Sequence, residues 1–186
     1  MPERTPTTAP TDDVSIRIER LARGAPETLL TKITAMLHRA YRGQVELGLR
    51  PLAGRQDPAT TRRRCDTGEA YIAYLAEDAG PAGMILLQEV EDAAFPDWFL
   101  RPEVGHFSLF AVDPPLQRHG LGHRLLERIE RRTRDLGLRE LALSMAEPDV
   151  ALHAYYLRRG YRFVQHWRWP YTNYRSVIMS RDLSAS

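Results

Sequence analysis

The stretch Ala111–Arg132, AVDPPLQRHGLGHRLLERIERR, leaves an apolar run through two prolines, crosses a polar turn holding Gly120 and Gly122, and opens a helix. Glycine weakens a helix by up to about 1 kcal/mol relative to alanine, so two glycines at its start need a reason. A strand, a glycine turn and a helix start together present main-chain N–H groups to an anion. The first helical turn has donors without intrahelical partners, and the macrodipole favours negative charge there. Lacking Cβ atoms, Gly120 and Gly122 would let a diphosphate approach the backbone, with Arg118 and Arg124 adding positive charge. The plainer alternative is that both glycines only shape a tight strand-to-helix junction. Neither G-x-x-x-x-G-K-[ST] nor G-x-G-x-x-G occurs, so nucleoside triphosphate and dinucleotide folds are poorly supported.

Working outward, the apolar run before this stretch, GHFSLFAVD, has the composition of a buried strand. The helix after it places Leu121, Leu125, Ile129 and Leu136 on one face, pairs Glu127 with Arg131 and Glu130 with Arg134, and meets Gly137 where a left-handed C-cap belongs. Upstream, VSIRIERL (Val14–Leu21) alternates as a strand, and APETLLTKITAMLHRAY has helical spacing after Pro26. The Gly-, Pro- and Arg-rich text from Gly43 to Thr60 leads to a short helix at DPATTRRRC, with Asp57 as N-cap and Pro58 in the first turn. EAYIAYL and AGMILLQEV read as a hairpin around AEDAGP. EDAAFPDWFLRPE is an irregular insertion with aromatic and acidic residues. RELALSM is a strand, DVALHAYYLRRG a helix ending at Gly160, and YRFVQHWRW with YRSVIMSRDL a closing strand pair. The order β-α-α-β-β-β-α-β-α-β-β predicts an α/β fold.

At 186 residues, the chain suits one domain over 14–183 behind a loose polar tail at 1–13. A hydrophobic fraction of 43% without a run near the roughly 20 residues that span a bilayer predicts a soluble protein. The polar start lacks a secretory core, which points to the cytoplasm. Cys65 is the sole cysteine, excluding an intramolecular disulfide, and reads as a packing residue. No His, Asp or Glu spacing suggests a metal site. A net charge of +2 argues against a dedicated nucleic-acid binder, and the acids interleaved in RIERRTRDLGLR make it a self-paired surface rather than a phosphate-tracking stripe. Arg62–Arg64 is similarly weak.

Two stretches and the order of elements together resemble the GNAT family of acetyl-CoA-dependent N-acetyltransferases. Gln117, Arg118, His119, Gly120, Leu121 and Gly122 match its [QR]-x-x-G-x-[GA] pyrophosphate signature. DVALHAYYLRRGY is similar to its second cofactor segment, with Tyr156 four residues before Gly160 and Tyr161 after it. The element order from Val14 to Leu183 is similar as well. Asp149 and Leu152 depart from the family, which often has Asn and a small residue there. The resemblance implies a mixed, mostly antiparallel sheet of about seven strands, flanked by about four helices and splayed between the fourth and fifth strands.

It also implies roles. Acetyl-CoA would be the cosubstrate, its diphosphate on Gln117–His123 and its pantetheine along Phe110, Ala111 and Val112, with Pro114 blocking further strand pairing. Transfer to an amine needs a base for the amine and a proton for the departing thiolate. Tyr156 matches the family's acid, although it could equally just pack. His106 stands where the family often has its base, and an ordinary imidazole titrates near the required pH. Glu103 is a rival nearby, and His119 and His123 read as cofactor neighbours or solvent-facing groups. The implied reaction is direct transfer from acetyl-CoA to a primary amine in a ternary complex. The acceptor would meet YRGQVELGLRPLAGRQ, WPYTNY and the insertion around Trp98, where Glu46, Asp92, Asp97, Tyr171 and Tyr174 would suit a cationic polyamine, lysine side chain or aminoglycoside. A peptide N-terminus or amino acid, a homodimer, and a non-catalytic acetyl-CoA sensor stay open.

Overall fold

A computed structural model of the chain describes residues 16–75, 80–89 and 93–184. The expected tail, the start of the first strand at Val14 and most of the hairpin turn lie outside them. The strands are β1 (Arg17–Arg20), β2 (Glu69–Tyr74), β3 (Gly83–Leu87), β4 (Val104–Val112), β5 (Glu140–Ala146), β6 (Arg162–Trp167) and β7 (Ser176–Asp182). The helices are α1 (Glu27–Ala40), α2 (Arg42–Glu46), α3 (Pro58–Thr67), α4 (Leu121–Asp135) and α5 (Val150–Leu157). Short 3-10 turns occupy Leu52–Gly54, Asp97–Leu100 and Pro114–Leu116. The extra helix relative to the expected four is α2, which continues from α1 through a bend at Tyr41 that serves as C-cap of one and N-cap of the other.

The strands form one sheet in the order β1-β2-β3-β4-β5-β7-β6, antiparallel throughout except for the parallel pair β4 and β5. Period-two alternation assigns the faces. Tyr71, Ala73, Ile85 and Leu87 pack toward α4, with Leu121, Leu125 and Ile129. Ala70, Ile72, Met84 and Leu86 pack toward α1 and α3, with Ile33, Met36, Leu37 and Cys65. Asp57 caps α3 by accepting from the Thr60 N–H at 2.7 Å, and Gly137 takes the left-handed conformation expected beyond α4. Three details of α4 differ from expectation, the first being that Glu127 lies 3.2 Å from His123 Nε2, with no ion pair to Arg131 among the described residues. Leu136 is 42% exposed because it follows the last helical turn as the C-cap. Glu130 is buried and pairs with Arg181 of β7 at 2.8 Å rather than with Arg134, whose Nε donates to the Leu183 carbonyl.

Two irregularities in β4 shape the middle of the sheet. Opposite β3, Ser108 faces Leu86 and Ala111 faces Met84, so one extra β4 residue is accommodated by a bulge with Leu109 at φ 48°. As a result, His106, Ser108 and Leu109 lie on the α1 side while Phe107, Phe110 and Val112 pack on the other. Opposite β5, pairing runs only from Val104 with Glu140 to Phe107 with Leu143. Beyond that point the two strands part.

Candidate active site

The parting of β4 and β5 opens a cavity of about 910 Å³. One end of it is built by the chain that leaves β4. Asp113 holds the start of this connection, receiving two hydrogen bonds from Arg39 of α1 at 2.9 and 2.6 Å. The loop then takes left-handed conformations at Arg118 (φ 70°) and Gly120 (φ 80°), the latter being the N-cap of α4. This accounts for Gly120: a Cβ there would meet no neighbour, but the backbone conformation itself favours glycine. No side chain caps α4, so its first-turn N–H groups have no partner among the described residues. Gln117, Arg118, Gly120, Leu121, Gly122 and His123 all line the cavity, as do Phe110, Ala111 and Val112. His119 does not line it; its Nδ1 lies 3.2 and 3.0 Å from the Leu116 and Gln117 carbonyls. Arg159 lies over the Tyr155 ring at 4.1 Å, and its buried Nε has no partner.

Tyr156 lines the cavity from α5, 3% exposed among Phe107, Tyr155 and Tyr161. Burial holds its phenol well above the usual value, so it stays protonated. Asp149 caps α5 through the Leu152 N–H at 3.0 Å and accepts from Gln44 at 2.9 Å.

His106 is the third residue of β4 and is 8% exposed, stacked on Phe99 with centroids 4.7 Å apart. Its Nε2 lies 2.9 Å from the Glu89 carbonyl oxygen, which can only accept, so the ring proton sits on Nε2. Nδ1 is thereby left with a bare lone pair, and it is buried without a partner. Burial pushes the imidazole below its ordinary value, opposed by the neighbouring Glu89 carbonyl and charge. Glu103, on the preceding turn, does not line the cavity; its carbonyl accepts from Arg139 and Glu140.

The feature that sequence reading passed over is Glu89, 2% exposed just after β3. Its carboxylate receives Arg64 of α3 through Nε and Nη2 and also the Ser108 hydroxyl. Arg64 in turn donates to Gln56 at 2.8 Å, and Gln56 to Thr61 at 2.7 Å. Arg64 therefore belongs to a buried polar network, and the only hint of this in sequence was an arginine in a helix whose partner lies 25 positions away.

Two loops close the other end. Asn173 accepts from the Arg50 N–H and donates to the Gly48 carbonyl, and Arg55 donates to the Tyr171 carbonyl at 2.7 Å. Tyr171 and Tyr174 line the cavity, whereas Glu46 and Asp97 are exposed outside it, and Asp92 lies outside the described residues. Cys65 is buried in the core, which pushes its thiol up to about 12. Among the described residues, no His, Cys, Asp or Glu cluster could hold a metal ion, and no helix is long and apolar enough to cross a membrane.

Solved structures of this architecture are numerous. The ribosomal-protein-S18-alanine N-acetyltransferase of Escherichia coli is similar at a TM-score of 0.64 and 19% identity, over 92% of this chain and 96% of that one. A Streptococcus agalactiae acetyltransferase gives 0.66 at 15%, over 90% and 98%. A GNAT family acetyltransferase from Elizabethkingia anophelis, solved with acetyl-CoA bound, gives 0.59 at 15%, over 92% and 99%. No curated protein matches the sequence. The model of the "Acetyltransferase (GNAT) family" matches residues 33–161, and with the parted strands and the uncapped α4 it establishes that this chain belongs to that family.

Proposed function

We propose that the domain spanning 14–183 transfers an acetyl group from acetyl-CoA directly to a primary amine in a ternary complex. The observation that carries this reading is the single cavity joining the bare N–H groups of α4, the unpaired edge of β4, Tyr156 and the Nδ1-bearing ring of His106. The donors of Gln117, Arg118 and Gly120–His123, with Arg159, suit the diphosphate of coenzyme A, whose charge complements the helix start. The β4 edge from Phe110 to Val112 suits an extended amide-bearing arm.

In the reaction the ammonium first gives up one proton, which passes on to solvent; the neutral nitrogen then bonds to the acetyl carbon, the carbon–sulfur bond breaks, and the nitrogen loses a second proton while the sulfur gains one. His106 fits the first proton. Its Nδ1 lone pair lacks a donor, and a buried unsatisfied polar atom costs about 1–3 kcal/mol, which an incoming ammonium or its bound water would relieve. Tyr156 fits the second, because its raised value keeps the hydroxyl protonated beside the departing sulfur. Glu103 is the poorer base, since it stands outside the cavity.

Tyr156→Phe should lower kcat by about 10²–10⁴-fold, the range for a lost general acid, with the KM for acetyl-CoA little changed. Thiol release from acetyl-CoA across an amine panel measures this, and an unchanged rate at every pH removes Tyr156 from the chemistry. Calorimetric binding of coenzyme A with no thiol release to any amine would replace transfer by sensing.

A further inference from the structure

Resting on the acetyltransferase reading of this same cavity, we infer that the acceptor is a monoamine carried on an aromatic body, not a polycation. Beyond His106 the wall is a chain of rings drawn from two distant segments. Phe99 stacks on His106, and Phe95 tilts against His106 with centroids 5.1 Å apart. Trp169 meets Phe95 edge-on at 6.2 Å, and Tyr171 stacks on Trp169 at 5.7 Å. The Trp169 ring is fixed by its Nε1 donating to Ser144 at 2.9 Å. All of these rings line the cavity, and Leu47, 68% exposed at its rim, continues the apolar surface outward.

Charge supports the same assignment. Only two carboxylates line the cavity among the described residues, and both are engaged. Glu89 receives Arg64 and Ser108, and Asp149 receives the Leu152 N–H and Gln44. Among the described residues a second ammonium entering here would shed water, find both lining carboxylates already engaged and meet the Arg64 guanidinium. Ring faces can hold one cation, and that one is the ammonium deprotonated at His106. A flat aromatic body instead gains offset and edge contacts with Phe95, Trp169 and Tyr171.

The test compares thiol release from acetyl-CoA with 2-phenylethylamine, tryptamine, spermidine, kanamycin and short peptides, alongside calorimetry of 2-phenylethylamine on the coenzyme A-loaded protein. The expected result is a kcat/KM at least about tenfold higher for the two aromatic amines, the factor that 1.4 kcal/mol of ring contact supplies. Tyr171→Ala should raise the KM for 2-phenylethylamine by about the same factor, with the KM for acetyl-CoA unchanged, and Tyr171→Phe should restore it. Faster turnover of spermidine, kanamycin or a peptide overturns the inference and leaves acetyl transfer standing. Binding of 2-phenylethylamine without thiol release supports the aromatic pocket and removes acetyl transfer. If the aromatic amines are neither bound nor turned over, the inference is overturned.

Discussion

His106 shows how one main-chain oxygen can set the chemistry of a side chain. Because the Glu89 carbonyl must accept, the imidazole holds its proton on Nε2 and leaves Nδ1 basic. Burial among Phe95 and Phe99 disfavours the charged ring, so its pKa lies below the usual 6.5. The consequence for activity has a definite sign. If the neutral ring is the base, as proposed above, kcat/KM should hold at pH 6.5 and fall only at more acidic pH, with His106→Gln abolishing that limb. The consequence for stability has the same direction. Below about pH 6.5 the unfolded chain binds a proton on this residue that the folded chain resists, so stability contributed by the neutral ring declines as pH falls. Denaturant midpoints of the wild type and His106→Gln between about pH 5 and 7.5 check this, the variant losing less on acidification.

Elements are tied across the sheet by a few buried or half-buried ion pairs, and the tie from β2 to α4 is the most accessible to experiment. Glu69 opens β2 and receives Arg132 of α4 through two hydrogen bonds of 2.9 Å, with the Tyr71 hydroxyl donating at 2.8 Å. The Arg132 guanidinium holds the carboxyl down at about 2, well under its ordinary range. A depressed carboxyl stabilises the fold above its unfolded value and ceases to do so as pH falls through the folded one. Arg132→Ala should therefore cost about 1 kcal/mol near pH 7, a partly exposed pair being worth little more, and the difference should shrink between pH 4.5 and 2. Urea unfolding at the two ends of that range measures it. Helix and strand positions were legible in the chain because their signals are local: Asp57 and Pro58 mark the start of α3, and the apolar runs EAYIAYL and AGMILLQEV on either side of a turn mark β2 and β3. The length of α2 was not, since Gly43 and the proline-rich text after it mask a single extra turn continued from α1.

At the level of the whole molecule, the cavity end proposed for the cofactor was readable because its residues are contiguous, from Phe110 to His123, with His119 turned away from the cavity. The acceptor end was not, because it assembles from the Leu47–Ala53 loop, the insertion at Phe95–Phe99 and the β6–β7 connection, which meet only after the sheet forms. The acids that suggested a cationic acceptor, Glu46 and Asp97, face solvent, while Glu89, hidden at the end of an apolar strand, turns inward to Arg64. Only four residue pairs, Val104–Phe107 with Glu140–Leu143, join one half of the sheet to the other. Saturation with coenzyme A should accordingly slow amide exchange most at 108–112 and 144–146, and leave β1 and β6 unaffected; uniform slowing would contradict this.

That short ladder also makes the enzyme's rigidity a function of supply. A molecule bound along the bare side of β4, as proposed for coenzyme A, would fill the place of a missing strand and fasten the two halves like a keystone. At a hundredfold excess over its dissociation constant it adds about 2.7 kcal/mol. On that proposal the arch would slacken when the acyl donor runs short, and the starved enzyme would be the form that heat and proteases reach first.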